Sequence, residues 1–207
     1  MASKFLILTT SIFVLLLSNC NNKKNIVSST IQKNDYAECK VFFDKYKKKM
    51  IIEENDSALI YIDKAIKCNP NNNSYKNSKV NFLISIKNYK EADKQLDELI
   101  TITNDPAFRL LKGIIKLKDS DPQSEKLLVN SYDEFNQIKK PTSSNLIYKI
   151  ALDNYFKGKD YSLNQVEEFK QTYKDKPYEN QNIEALQELI NKETKEIVLF
   201  KLFNIND

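Results

Sequence analysis

Apolar residues return along most of this chain at intervals of three and four, the period of an amphipathic helix, and stretches of strict alternation are scarce. The spacing predicts helices over 35–50, 56–68, 74–87, 89–103, 106–118, 122–138, 143–157, 162–174 and 179–202. Asp105-Pro106 and Asp121-Pro122 each put a capping acceptor before a proline suited to the first helical position. Asp56 and Thr142 or Ser143 are further candidate caps. The last predicted helix carries Ile183, Leu186, Ile190, Ile197 and Phe200 at helical spacing, although its "IVLFKLF" tail is rich enough in β-formers to be extended instead.

Composition narrows the class. Only 2 Gly and 5 Pro occur in 207 residues, and neither Asn-Gly nor Asp-Gly occurs at all. Sheet proteins need such residues for tight turns, so the reading is all-α. The 32 basic and 28 acidic residues give a formal charge of +4, and Arg109 is the one arginine. Arginine is the usual partner for bidentate phosphate and guanine contacts, so the chain is a poor nucleic-acid binder. Its alternating lysines and acids read as solvated helix faces.

Two stretches carry a repeat. "DSALIYIDKAIKCNPNN" and "YKEADKQLDELITITNDP" align with Ala58 and Ala92, Ile62 and Leu96, Ala65 and Leu99, and Pro70 and Asn104, each pair 34 residues apart. Two antiparallel helices approach closely only where side chains are small, and positions seven apart share a face. Ala58, Ile62, Ala65 and Pro70 together resemble helix B of the tetratricopeptide repeat, including its closing proline. In the second copy Leu99 and Asn104 depart from the pattern. A degenerate third copy has Gly113 in its first helix and Ser124 and Ser131 in its second, with Ala92 to Ser124 shortened to 32 residues. A fourth helix pair around Gly158 and Tyr161 shows no small-residue signature. The resemblance implies a helix-hairpin solenoid, a right-handed superhelix over residues 35–207, with the last helix as its cap.

The N-terminus has a different character. Met1 to Lys4 carries one positive charge, and Phe5 to Leu17 is almost wholly apolar. Thirteen helical residues span about 20 Å against a hydrocarbon core of roughly 30 Å, too short for an upright transmembrane helix. Leu17-Ser18-Asn19-Cys20 resembles the lipobox of bacterial lipoproteins, with Asn19 where a smaller residue is usual. That resemblance implies a signal peptide over 1–19, lipidation of Cys20 and attachment to a membrane of the bacterial cell envelope. Residues 20–34, rich in Asn, Ser and Lys, read as a tether. In some lipoprotein families acids just after the cysteine act as retention and export signals, and by that resemblance their absence after Cys20 implies the outer membrane.

Cys39 and Cys68 fall, in the 34-residue register, at the start of one helix and the end of its partner. An oxidising envelope would permit a disulfide; two independent buried thiols are the alternative. Without histidine, neither a four-ligand zinc site nor a Ser-His or Cys-His catalytic arrangement can be assembled. The expectation is no enzyme, no metal and no cofactor. In the tetratricopeptide family the first helices of each repeat line a concave groove that holds a peptide or a helix of another protein. That resemblance puts Lys40, Asn77 and Asn81 in the groove. The expected function is a membrane-anchored protein-interaction scaffold with an unidentified protein or peptide partner. The alternatives are a small-ligand or glycan-binding lipoprotein and an immunity-type lipoprotein that neutralises a toxin. An exposed group of tyrosines would favour the glycan reading.

Overall fold

A computed structural model describes residues 32–205 of the chain. Cys20, the segment expected to be a signal peptide (1–19) and nearly all of the expected tether (20–34) lie outside the described residues. Ten helices follow one another with no strand among the described residues: α1 (Gln32–Ile51), α2 (Asn55–Cys68), α3 (Asn73–Ser85), α4 (Tyr89–Thr103), α5 (Pro106–Lys118), α6 (Gln123–Gln137), α7 (Ser143–Lys157), α8 (Lys159–Thr172), α9 (Pro177–Lys192) and α10 (Lys195–Leu202). None of them is long and apolar enough to cross a membrane. They divide between two compact units, 32–104 and 105–205.

In the first unit α1 pairs with α2 and α3 with α4, and α2 also packs on α3. Both pairs close through the same turn. Glu53 and Lys87 hold left-handed backbone at φ 59° and φ 60°. The amides on either side reach back to satisfy carbonyls of the last helical turn, Glu53 N to Met50 O and Glu54 N to Lys49 O, then Lys87 N to Ile84 O and Asn88 N to Leu83 O. This is the Schellman arrangement. Helix α3 begins under Asn72, whose side chain accepts from the amides of Ser74 and Tyr75, and α4 begins under Asn88. The Asp56 cap does not form, because α2 starts one residue earlier and Glu54 occupies the cap position without a side-chain bond.

The second unit uses the same device. Ser120, at φ 55°, closes the α5–α6 turn, with Ser120 N bonded to Leu117 O and Asp121 N to Lys116 O. Asp105 caps α5 through Ala107 N, Asp121 accepts from Gln123 N, and Thr142 forms a reciprocal capping box with Asn145. Helices α7 and α8 meet at Gly158 alone, at φ 92° and ψ 173°. Helix α9 packs on α8 and α7, while α10 packs on α7, α9 and α5.

The predicted final helix is two helices. Glu193 is extended, and the hydroxyl of Thr194 accepts from Ile197 N to start α10, so the apolar period runs straight through a break. The "IVLFKLF" tail is helical up to Leu202 rather than extended.

The packing logic repeats four times. On α2 the buried residues are Ala58, Ile62 and Ala65; on α4 they are Ala92, Leu96 and Leu99. On α6, Ser124, Leu128 and Ser131 are buried with Phe135, and on α8 they are Ser162, Val166 and Phe169. Every set starts on a small residue and continues at +4 and +7, positions that share one helix face. The fourth pair therefore does carry a small-residue position, Ser162, contrary to the expectation from sequence. Serine serves there because its hydroxyl has a partner: Ser162 Oγ donates to Lys159 O at 2.7 Å, and Ser131 Oγ to Pro106 O at 3.0 Å.

Candidate functional site

The disulfide lies on the first pair of helices. Cys39 sits on α1 and Cys68 is the last residue of α2, their Cα atoms 5.3 Å apart and their sulfurs joined. That separation lies inside the range a disulfide accepts. Around the bridge, Cys39, Tyr46, Ala58, Ile62, Ala65, Tyr75 and Phe82 form one buried cluster.

The same cluster joins α1 to α3. Phe43 stacks on Tyr75 at 4.6 Å between centroids, and Tyr46 meets the edge of Phe82 at 5.7 Å. Tyr46 Oη donates to Ser78 O at 3.1 Å. Burial pushes the Tyr46 hydroxyl up to about 12. Helix α3 thus turns Tyr75, Ser78 and Phe82 toward α1. Asn77 and Asn81 lie on another stripe, displaced by about 100° at 100° per residue, and both are half-buried. Lys40, one residue beyond Cys39, is exposed and engaged within its own helix by Asp44 at 3.6 Å. Of the residues predicted for a site, the structure brings Cys39 and Cys68 into contact. It sets Asn77 and Asn81 on one stripe of α3, and it leaves Lys40 on α1.

A second polar centre lies in the 105–205 unit. Asp153 on α7 has no exposed surface. It accepts from the Tyr132 hydroxyl of α6, from Lys149 Nζ at 2.9 Å and from Lys157 Nζ at 3.3 Å. A buried carboxylate is tolerated only with such complete pairing. The Lys157 ammonium also lies 4.2 Å from the centroid of Tyr161 and 5.5 Å from that of Tyr132. Bonds to these two hydroxyls, with Asp153 beneath, hold Lys157 well above the usual lysine range. Burial and the bond to Asp153 raise Tyr132. The arrangement fixes one lysine and two tyrosine rings, Tyr161 exposed and Tyr132 half-buried, in set positions at the surface.

Sequence reasoning passed over Asp153. The signal was an acid inside the apolar run "IYKIALDNYF", with lysine four residues before and four after it. On a helix those three share a face, and an acid amid apolar neighbours needs partners.

Comparison of the chain with protein-family models, curated proteins and solved structures finds no match.

Proposed function

We infer that this chain is a lipoprotein of the bacterial cell envelope, anchored through Cys20. Its helix pairs form a tetratricopeptide-like array that serves as a scaffold for another protein. The observation that carries the binding reading is the buried triad at i, i+4 and i+7 on α2, α4, α6 and α8. Within the 32–104 unit this packing leaves Lys40 exposed on α1 and Asn77 and Asn81 half-buried on one stripe of α3, polar positions suited to an extended peptide or a helix. The Cys39–Cys68 disulfide supports an oxidising compartment. With the apolar run and Leu17-Ser18-Asn19-Cys20, it favours export and anchoring, with the outer membrane as the favoured site.

Two measurements test this. Fatty-acid labelling should mark the wild type and not Cys20→Ala; equal labelling of both ends the anchor reading. Cross-linking in native membranes should enrich one protein with the wild type, and Lys40→Glu combined with Asn81→Ala should reduce its yield about tenfold, some 1.4 kcal/mol. An unchanged yield removes those residues from the recognition surface, and no enriched protein removes the scaffold. An immunity-type protein would differ only in capturing a toxin.

The small-ligand reading rests on one feature, the rings of Tyr161 and Tyr132 with their centroids 4.2 Å and 5.5 Å from the Lys157 ammonium. Tyrosine rings fixed near a cation suit an acidic sugar. Glycan-array binding lost in Tyr161→Ala would favour it, and a blank array would leave the protein-binding reading alone.

A further inference from the structure

The turn between α1 and α2 exposes two adjacent isoleucines. Ile51 is 75% exposed and Ile52 58%, while the other large apolar residues of this pair mostly pack against the disulfide-centred cluster. Two neighbouring branched side chains at the tip of a helix pair lose contact with water only if something covers them.

The charges around the tip decide what kind of cover fits. Lys49 is held by Glu54 at 2.5 Å and Lys47 by Asp44 at 2.8 Å, so these four cancel in pairs. Exposed Lys45 and Lys48 are matched in number by exposed Glu53 and Asp56. The tip is therefore close to neutral, and its attraction is for an apolar layer rather than for a strongly charged surface. Lysines beside such a layer keep their ammonium groups in the headgroup region while their stems lie along the hydrocarbon.

Chain length supplies the second argument. Eleven residues lie between Cys20 and Gln32, and the twelve steps from one to the other span at most about 40 Å. Helix α1, with 20 residues, is about 30 Å long. A chain held at Cys20 can therefore bring Ile51 and Ile52 down to the plane of its own anchor.

We propose that the Ile51–Ile52 turn is a second, non-covalent contact with the lipid bilayer, inserting into the interfacial layer beside the anchor. Two isoleucines alone bind a bilayer weakly, but an anchor makes the contact intramolecular, at millimolar effective concentration for a short linker. The contact is hydrophobic, so it persists in neutral lipid and in high salt. With anchor and tip both fixed, α1 and α2 are held at a restricted angle to the membrane. The proposal rests on the anchor at Cys20.

The chain contains no tryptophan, which makes the test direct. Ile51→Trp places a single reporter in the turn, and Tyr178→Trp places one at a site 67% exposed on α9. Each full-length protein is purified from membranes and reconstituted into phosphatidylcholine vesicles with brominated acyl chains; unchanged far-ultraviolet dichroism verifies the fold. The expected result is blue-shifted, quenched emission for Ile51→Trp, unaffected by 1 M salt, and unquenched emission for Tyr178→Trp. Emission from Ile51→Trp that is unquenched overturns the proposal. A blue shift without quenching overturns it too, since a second copy or another protein would then cover the turn. Equal quenching at both positions would mean general immersion and also overturns it. Fatty-acid labelling at Cys20 reports on the anchor separately, so an unquenched turn on a labelled protein sinks the tip contact alone.

Discussion

Tyr46 shows how one side chain ties burial to pH. Its ring closes the α1–α3 junction, its hydroxyl donates to Ser78 O, and burial raises it from 10 to about 12. A phenol raised in the folded state favours folding fully below pH 10, and that contribution is lost as pH climbs from 10 to about 12. At roughly 1.4 kcal/mol per unit, the loss attributable to Tyr46 approaches about 2.7 kcal/mol. Removing its hydroxyl should cost about 1 kcal/mol near neutrality. Urea midpoints of wild type and Tyr46→Phe, taken from pH 8 to 11.5, should therefore converge and then cross; parallel curves would mean the hydroxyl is not buried as described. Gly113 gives a second test at this scale. A Cβ added there would lie 3.0 Å from Leu128 Cδ2 and 3.2 Å from Leu127 Cβ, so Gly113 sits where α5 and α6 pack closely. Gly113→Val should destabilise the fold by about 1–3 kcal/mol through overpacking, read as a lower urea midpoint, and an unchanged midpoint would mean the two helices separate freely. The role of Gly113 was legible from its place in the repeat. Asp153 was less so, because an acid flanked by lysines at four-residue spacing also describes an ordinary solvated face, and the Tyr132 hydroxyl that bonds it comes from another helix.

The helix pairs turn on residues that local chemistry would not choose. Glu53, Lys87 and Ser120 all sit in left-handed backbone where glycine is commonest. A side chain in that conformation costs roughly 1–2 kcal/mol, part of which the greater freedom of unfolded glycine returns. Lys87→Gly should accordingly stabilise by about 0.5–1 kcal/mol, whereas Lys87→Val should destabilise; calorimetric melting compares them, and a lower melting temperature for Lys87→Gly contradicts the turn geometry. Gly158 reverses the logic. Nothing lies within 4 Å of a Cβ placed there, yet φ 92° with ψ 173° is a region few residues other than glycine enter. Gly158→Ala should cost about 1–3 kcal/mol from the backbone alone. These turns explain which parts of the fold the sequence disclosed. The helices themselves were visible in the apolar period, and the first two pairs in the 34-residue register. The fourth pair was visible as two helices, but its small-residue position was hidden because 38 residues, rather than 34, separate Ser124 from Ser162, and because serine replaced alanine. The break at Thr194 was hidden for a different reason. Ile190 and Ile197 are seven apart in sequence, so periodicity has no means of registering the two extended residues, Glu193 and Thr194, between them. What identifies the break is a capping hydroxyl, and a threonine within an amphipathic segment ordinarily carries no such weight.

At the scale of the whole molecule the question is why the only covalent closure among the described residues falls on the first helix pair. In an array of hairpins, each pair is stabilised by its neighbours as well as by itself, and a terminal pair lacks one neighbour. In the 105–205 unit, α9 and α10 pack against α7 and add Leu186, Ile190, Leu199 and Phe203 to the buried set. In the 32–104 unit α1 and α2 are bordered by α3, and among the described residues no helix precedes them. The Cys39–Cys68 bridge makes good that lack. Its cysteines are 29 residues apart in sequence, and closing a loop of that length removes enough unfolded-chain entropy to stabilise by roughly 3–4 kcal/mol. Lys40 follows Cys39 directly and the exposed Ile51–Ile52 turn ends the same helix, so the bridge also holds the residues offered here for recognition and for lipid contact. Reduction should raise the intact mass by two hydrogens and lower the urea midpoint. Amide exchange should then accelerate first in α1 and α2, by about two orders of magnitude or more if the full 3–4 kcal/mol is felt locally. Cys68→Ala should reproduce the effect without reductant. If exchange in α1 and α2 stays as slow in the reduced protein as in the oxidised one, packing on α3 already suffices to order the first pair. The bridge would then mark the compartment in which the chain folds and would contribute little to holding it folded.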